Sequence, residues 1–260
     1  MKSTCCLSFL TFILATIISL PLNAQDRITS EAEAKAIFEE VEDRRNSISS
    51  EISIMEMEIT DPRGRTRTRT MKMWSKTGGN DTQSLIVFSS PGNVSGTGFL
   101  TIREDGSSTQ RLYLPSVGRI QNITSSERGD RFMGSDFTYE DLGDQQSDDY
   151  TFEWLEQHED HYLVHAQKTD SEQYSSVTFK IDRERYTLSE VHYFNTEGEK
   201  IKRLEAENFE QLTDDLWSPS TMTMYDLRDD RKTTLTWSDR EINSSIPDWR
   251  FTERGLQRGI

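Results

Sequence analysis

The chain has only two cysteines, Cys5 and Cys6, and both lie in an apolar N-terminal segment. That segment carries one charge, Lys2, then a predominantly apolar run from Leu7 to Leu20, then Pro21, Leu22, Asn23 and Ala24 before Gln25. This is the pattern of a secretory leader cleaved after Ala24. A lone membrane anchor is the rival reading, but the run is short for a span and ends in a small-residue cleavage site. Removing the leader removes every thiol, so the exported product has no disulfide and must be held together by its core. Neither cysteine directly follows a small-residue cleavage site, which argues against a lipid on an N-terminal cysteine. The expected organisation is a leader at 1–24 and one domain at 25–260, soluble in the periplasm. After residue 24 no stretch is long and apolar enough to cross a membrane, and no repeat or low-complexity tract appears.

Positive charge is also scarce: 30 basic residues stand against 45 acidic ones, a net charge of -15. Nucleic acid and anionic lipid are polyanions that would repel such a chain, so neither is an expected resting partner. Solubility is the plainer account of the excess. Hydrophobic residues make up 33% of the sequence, enough at this length for a core.

Catalytic signatures are missing as well. His158, His161 and His165 are three and four apart, but Tyr162, Leu163 and Val164 read as strand, where only His161 and His165 share a face. His192 stands alone, and there is no HExxH. Ser95 in GNVSGTG matches neither a nucleophile elbow nor a phosphate loop, and reads as a loop into a strand. Carboxylates such as Glu140 and Asp141 have nothing that marks them as a glycosidase pair. The expectation is a protein that is not an enzyme, with no catalytic residue, metal or cofactor.

What is present is alternation. Residues 29–47 read as a helix capped by Thr29 or Ser30, with Glu33 placed for a capping box and Ala34, Ile37, Phe38 and Val41 at helical spacing. From about residue 51 the period becomes two. Met55, Met57 and Ile59 alternate with Glu56 and Glu58, the segment 61–64 turns, and RTRTRTMKMW returns, predicting a β-hairpin over 51–75. Further strands are predicted at 84–88, 97–102, 111–114, 161–168, 176–181, 187–194, 200–209, 220–226 and 232–237. Short turns between them predict an antiparallel meander. So long a sheet should curl, and helix 29–47 and the segment near 132–142 are its available covers. Phe251 and Leu256 of the tail are expected to dock on the sheet edge or the first helix. Residues 134–149 read as an acidic helical turn plus a loop.

Arg63, Arg65, Arg67 and Arg69 recur every second residue and form one basic face of a continuous strand. That face suits either an anionic headgroup or partner's acidic edge, or arginines pairing with Glu56 and Glu58. Met71 and Met73 share its parity, so either a bulge intervenes or the strand changes face.

RLYLPSVGRI at 111–120 leads into the block FMGSDFTYED at 132–141, which with PGNVSGTGFLTI at 91–102 and WSPSTMTMYD at 217–226 carries a family resemblance. Together they resemble the bacterial outer membrane lipoprotein-sorting protein family, a LolA-like group. The resemblance implies an α+β fold, mainly β, in which a curved antiparallel half-barrel is covered by an N-terminal helix and short helical lid segments over an apolar cavity. It implies a carrier or chaperone for the acyl chains of a lipoprotein or other envelope lipid, monomeric and in transient membrane contact only. An inner-membrane lipid-exporting transporter and an outer membrane acceptor are its expected partners, and nucleic acid is not. The alternative is a lipid-sensing or partner-regulating binding module with no transport role. Methionine's flexible thioether suits a surface that accepts variable chains. The candidate cavity residues are Ile37, Val41, Met55, Met57, Trp74, Phe88, Phe99, Tyr113, Met222 and Met224, with strand register deciding which of them face inward.

Overall fold

The computed structural model describes residues 27–28, 30–143, 145–169, 171 and 173–260. The expected leader at 1–24 lies outside them. The first helix, α1 (Glu31–Arg45), starts where the Ser30 hydroxyl accepts the Glu33 amide at 3.2 Å and stops at Asn46. Its narrow apolar stripe buries Ala34, Phe38 and Val41.

The described residues form fourteen strands: β1 (Arg27–Ile28), β2 (Ser50–Thr60), β3 (Thr66–Gly78), β4 (Asp81–Ser90), β5 (Gly98–Glu104), β6 (Ser107–Leu114), β7 (Arg119–Asn122), β8 (Tyr150–Gln157), β9 (His161–Lys168), β10 (Ser176–Asp182), β11 (Leu188–Phe194), β12 (Lys200–Gln211), β13 (Trp217–Asp226) and β14 (Arg231–Ile242). They form one antiparallel sheet in the order β1-β8-β9-β10-β11-β12-β13-β14-β2-β3-β4-β5-β6-β7. Two consecutive meanders, β2 to β7 and β8 to β14, are thus joined where β14 pairs with β2. The meander and the hairpin over 51–75 are as the alternation predicts. Strand β8 was not among the predicted strands, because Tyr150, Phe152 and Leu155 bury while Trp154 shifts register across a bulge, which breaks the alternation.

The sheet curls into an open half-barrel, and period two sorts its side chains onto two faces. On the concave face Met55, Met57, Met71, Phe88, Phe99, Phe179 and Leu235 merge with Phe38 of α1 into the main core. Phe38 packs on Phe152 and Phe179 with ring centroids 5.5 and 4.8 Å away. The long connection between β7 and β8 lies over the same face as a strap. Its Phe132 ring sits 5.1 Å from Phe99 and 5.8 Å from Phe88.

The convex face of β3 to β5 has its own cover. A 3-10 turn (Asp248–Phe251) and helix α2 (Glu253–Arg258) place Phe251 and Leu256 against Trp74, Leu85, Val87 and Leu100. The tail therefore docks on the back of the sheet, and not on its edge or on α1. The cause is local sequence: Leu85, Val87 and Leu100 are apolar on the parity opposite to the concave row, so that face also needs covering.

Candidate functional site

A cavity of about 370 Å³ opens on the concave side. Its floor is Met55, Met73, Ile86, Met222, Met224 and Leu235, backed by Trp237, Leu204 and the strap residues Phe137 and Leu142. Its mouth lies between the end of α1 (Arg45, Asn46), the starts of β2 and β4, the end of β3, the β12–β13 connection at Leu212 and Leu216, and the start of β13 at Ser218 and Pro219. The Glu51–Arg240 ion pair braces that rim at 3.0 Å, with Arg240 also donating to Ser218 Oγ and the Pro219 carbonyl.

The ladder register explains why the floor is apolar. Met222 lies opposite Leu235, Leu235 opposite Met57, Met55 opposite Met71, and Met73 opposite Ile86. Residues directly opposite share a face, so the strand methionines of both meanders converge on one surface. Of the candidate residues, Met55, Met222 and Met224 line the cavity. Val41, Met57, Phe88 and Phe99 are buried in the surrounding core, and Ile37 packs against it. Trp74 and Tyr113 lie elsewhere, in the convex cluster under the C-terminal tail. Parity carries this correction: Trp74 is one residue from Met73 and Tyr113 one from Leu112, so each points away from its inward-facing neighbour. Met73, Ile86, Leu204, Leu235 and Trp237 were missed, and matching parity with Met55 across the ladder is the signal that finds them.

The strap is anchored by charge. Asp141 accepts from Lys202 Nζ at 3.1 Å and from the Tyr174 hydroxyl at 3.0 Å, with both charged side chains 1% exposed. Asp136 faces Arg231 at 3.1 Å, Asp149 is gripped by Arg103 at 3.0 Å, Asp148 meets Lys35 at 3.3 Å, and Glu140 pairs with Lys168. Arg131 of the strap reaches Asp226 Oδ2 at 2.7 Å. Burial alone would raise the Asp226 pKa, but Arg228 and Arg131 hold it down at about 2. Burial lifts the phenol of Tyr174 well above its ordinary range, and the neighbouring Asp141 adds to the effect. An apparently free acidic loop is thus a segment whose described carboxylates nearly all meet cations on the sheet or helix.

Of the arginine row, Arg67 and Arg69 lie on β3 and keep one face, whereas Arg63 and Arg65 fall in the β2–β3 turn before the strand begins at Thr66. Ile59 lies opposite Arg67, Met57 opposite Arg69 and Met55 opposite Met71, so β3 neither bulges against β2 nor turns over. Glu56 and Glu58 lie on the other face and pair with none of these arginines among the described residues. Arg65 binds Asp61, and Arg69 donates to the Met133 carbonyl of the strap at 2.6 Å. Burial, reinforced by the charge of Arg67, lowers the Arg69 pKa.

Elsewhere the histidines sit on polar hairpins: His158 and His161 stack at 4.3 Å, and His165 stacks on Trp154 at 4.9 Å. No group of three or more His, Cys, Asp or Glu side chains among the described residues is arranged to hold a metal. No helix among them is long and apolar enough to cross a membrane.

Fold and cavity together define a LolA-like half-barrel, a curved sheet that wraps an internal apolar space. A candidate outer membrane lipoprotein-sorting protein domain from Vibrio parahaemolyticus matches at 27% identity and a TM-score of 0.83, over 88% of this chain and 100% of that one. A DUF1329 family protein from Desulfovibrio piger matches at 23% identity and a TM-score of 0.81, over 88% and 100%. A LolA superfamily protein from Nitrosomonas europaea shares the fold at 18% identity and a TM-score of 0.67, over 85% and 97%. No curated protein matches the chain. A family model described as an uncharacterized protein matches residues 80–258, more than half of the chain, and the chain belongs to that family.

Proposed function

We propose that this protein is a periplasmic carrier that holds the acyl chain of a lipoprotein or another envelope lipid in the concave cavity and passes it from one membrane component to another. The observation that carries this reading is the cavity itself: a methionine-rich apolar floor built from both meanders, open at a polar rim. Its volume of about 370 Å³ falls within the range of ligand sites, roughly 300–1,000 Å³. A hydrocarbon chain leaving water gains about 0.8 kcal/mol per methylene, and unbranched thioether side chains can repack around tails of different length. Binding of this kind requires no covalent step. The likeness to the Vibrio domain supports the same reading. In it, residues 1–24 direct export and are removed, residues 25–260 act as a single domain, a transporter in the inner membrane supplies cargo, and an outer membrane acceptor receives it.

The test is native mass spectrometry with lipid extraction on protein purified gently from its own cells. A stoichiometric lipid or lipoprotein is the expected result, lost in a Met222→Glu variant that places a carboxylate on the floor. Protein that is always empty, and that ignores added lipid, overturns the proposal.

A further inference from the structure

The concave face changes chemistry abruptly along its strands. One ladder row runs Met73, Ile86, Phe99 and Leu112 across β3, β4, β5 and β6. The next row on the same face, two residues along each strand, runs Ser75, Ser84, Thr101 and Gln110. At a rise of about 3.4 Å per residue the two rows lie about 7 Å apart. The first is hydrocarbon; the second is three hydroxyls and an amide. Ser75, Ser84 and Thr101 all line the mouth side of the cavity, with Thr77 and Thr82 further out.

The hydroxyl row is uncommitted. Thr101 is 2% exposed, and its Oγ1 has no hydrogen-bond partner in the protein; the same is true of Gln110 Oε1, whose residue is 4% exposed. A buried hydroxyl without a partner costs roughly 1–3 kcal/mol, which a bound group with donors and acceptors would recover. The charged groups around the mouth are, by contrast, all engaged. Glu51 holds Arg240 at 3.0 Å, Lys76 holds Asp248 at 2.5 Å, Asp141 holds Lys202 at 3.1 Å, and Arg45 donates to the Gln145 carbonyl at 3.2 Å. An anionic or cationic head at this depth would lose its hydration and meet only charged groups that already hold a partner.

We infer that the row Ser75, Ser84, Thr101 is a headgroup site for an uncharged, hydroxyl- or amide-bearing head whose hydrocarbon tail lies on the methionine floor. Glycerol esters, glycosyl lipids and amide-linked acyl groups belong to this class; free fatty acids and lipids whose phosphate would enter the mouth do not. The inference rests on the carrier reading and adds the chemistry of the cargo's polar end. Hydroxyls two residues from the floor select the head, and the tail is selected only by length and bulk.

The experiment displaces N-phenyl-1-naphthylamine, a wholly apolar fluorophore, from the complete protein with three twelve-carbon amphiphiles held below their micelle concentrations. Monododecanoyl glycerol is expected to compete at concentrations at least tenfold lower than dodecanoate or dodecyltrimethylammonium. In the triple variant Ser75→Ala, Ser84→Ala, Thr101→Val that preference shrinks by at least about fivefold, the worth of one hydrogen bond, while affinity for the fluorophore holds. Thr101→Val keeps the side-chain shape, and unchanged fluorophore binding certifies the fold. Equal competition by the three amphiphiles, or a preference for either ion, overturns the headgroup assignment and leaves the carrier reading standing. Failure of the fluorophore to bind at all overturns both.

Discussion

The two faces of this sheet are covered by different physical means. The convex side of β3 to β5 is closed by an apolar plug, Phe251 and Leu256 on Trp74, Leu85, Val87 and Leu100, each at most 4% exposed. The fit is close enough that a Cβ on Gly98 would lie 2.6 Å from Leu256 Cδ1. The concave side is closed by a strap that adds to its aromatic contact, Phe132 on Phe88 and Phe99, a set of ion pairs through Asp136, Glu140, Asp141 and Asp149. Close packing leaves no room, whereas directional ion pairs fix a segment at a distance and allow about 370 Å³ to remain beside it. A cavity of this kind is thus a property of how its cover is attached.

The largest expected effect tests that attachment. Lys202→Met leaves Asp141 buried beside Tyr174 without its cation, and breaking one half of a buried pair costs about 3–5 kcal/mol. Urea unfolding should show the loss. A change below about 1 kcal/mol would mean that the strap is held by Phe132 and Phe137 instead, and the contrast between the faces would fail. On the convex side Leu256→Ala should cost about 2–5 kcal/mol by opening a void, and lipid binding at the concave cavity should be unchanged. A loss of lipid with the tail variant would show that the faces are coupled.

A subtler test uses the close approach of Gly98. Gly98→Ala forces the new methyl into Leu256 Cδ1 and within 3.1 Å of the Leu256 carbonyl, an overpacking worth about 1–3 kcal/mol. In a Leu256→Ala background the nearest obstacle is gone. The two substitutions should then cost less together than the sum of their separate effects, which thermal melts of the full cycle would reveal.

How much of this was legible in the sequence follows from period two. Alternation marked the β2–β3 hairpin and the methionine row, because Met55, Met57, Met71 and Met73 hold one parity through an unbroken register. The same rule, applied to Trp74 and Tyr113, already excluded them from that row; reading bulky aromatics as cavity residues by type instead of parity put them on the wrong face. The arginine row looked inconsistent with Met71 and Met73 only while a strand was assumed to be either all core or all surface. Here β3 runs from the exposed hairpin tip at Arg67 into the core at Met71 on one continuous face. The strap was illegible for another reason. Its carboxylates read as a solvated loop because their partners, Lys35, Arg103, Lys168, Lys202 and Arg231, are scattered from one end of the chain to the other, and no local pattern announces a long-range ion pair.

Acid offers the smallest effect and the most selective one. Asp226 has a side chain with no exposed surface, 2.7 Å from Arg131 of the strap and 3.2 Å from Arg228, and its pKa of about 2 lies below the ordinary 3.8. A carboxyl with a depressed folded pKa contributes its stability above the unfolded value and loses it as pH falls through the folded one. The window therefore runs from near pH 4 down to about 2. Allowing for solvent screening of the partly exposed arginines, the loss is about 1 kcal/mol. Because the pair ties the strap and not the tail, protection against hydrogen exchange, corrected for the intrinsic pH dependence of the amide rate, should fall at pH 3 across residues 128–142 and stay unchanged across 248–258. Asp226→Asn should shrink the difference in protection between pH 6 and pH 3 in the strap. Equal acid sensitivity of the two segments would show that acid loosens the whole sheet, and that the two covers do not respond as separate attachments.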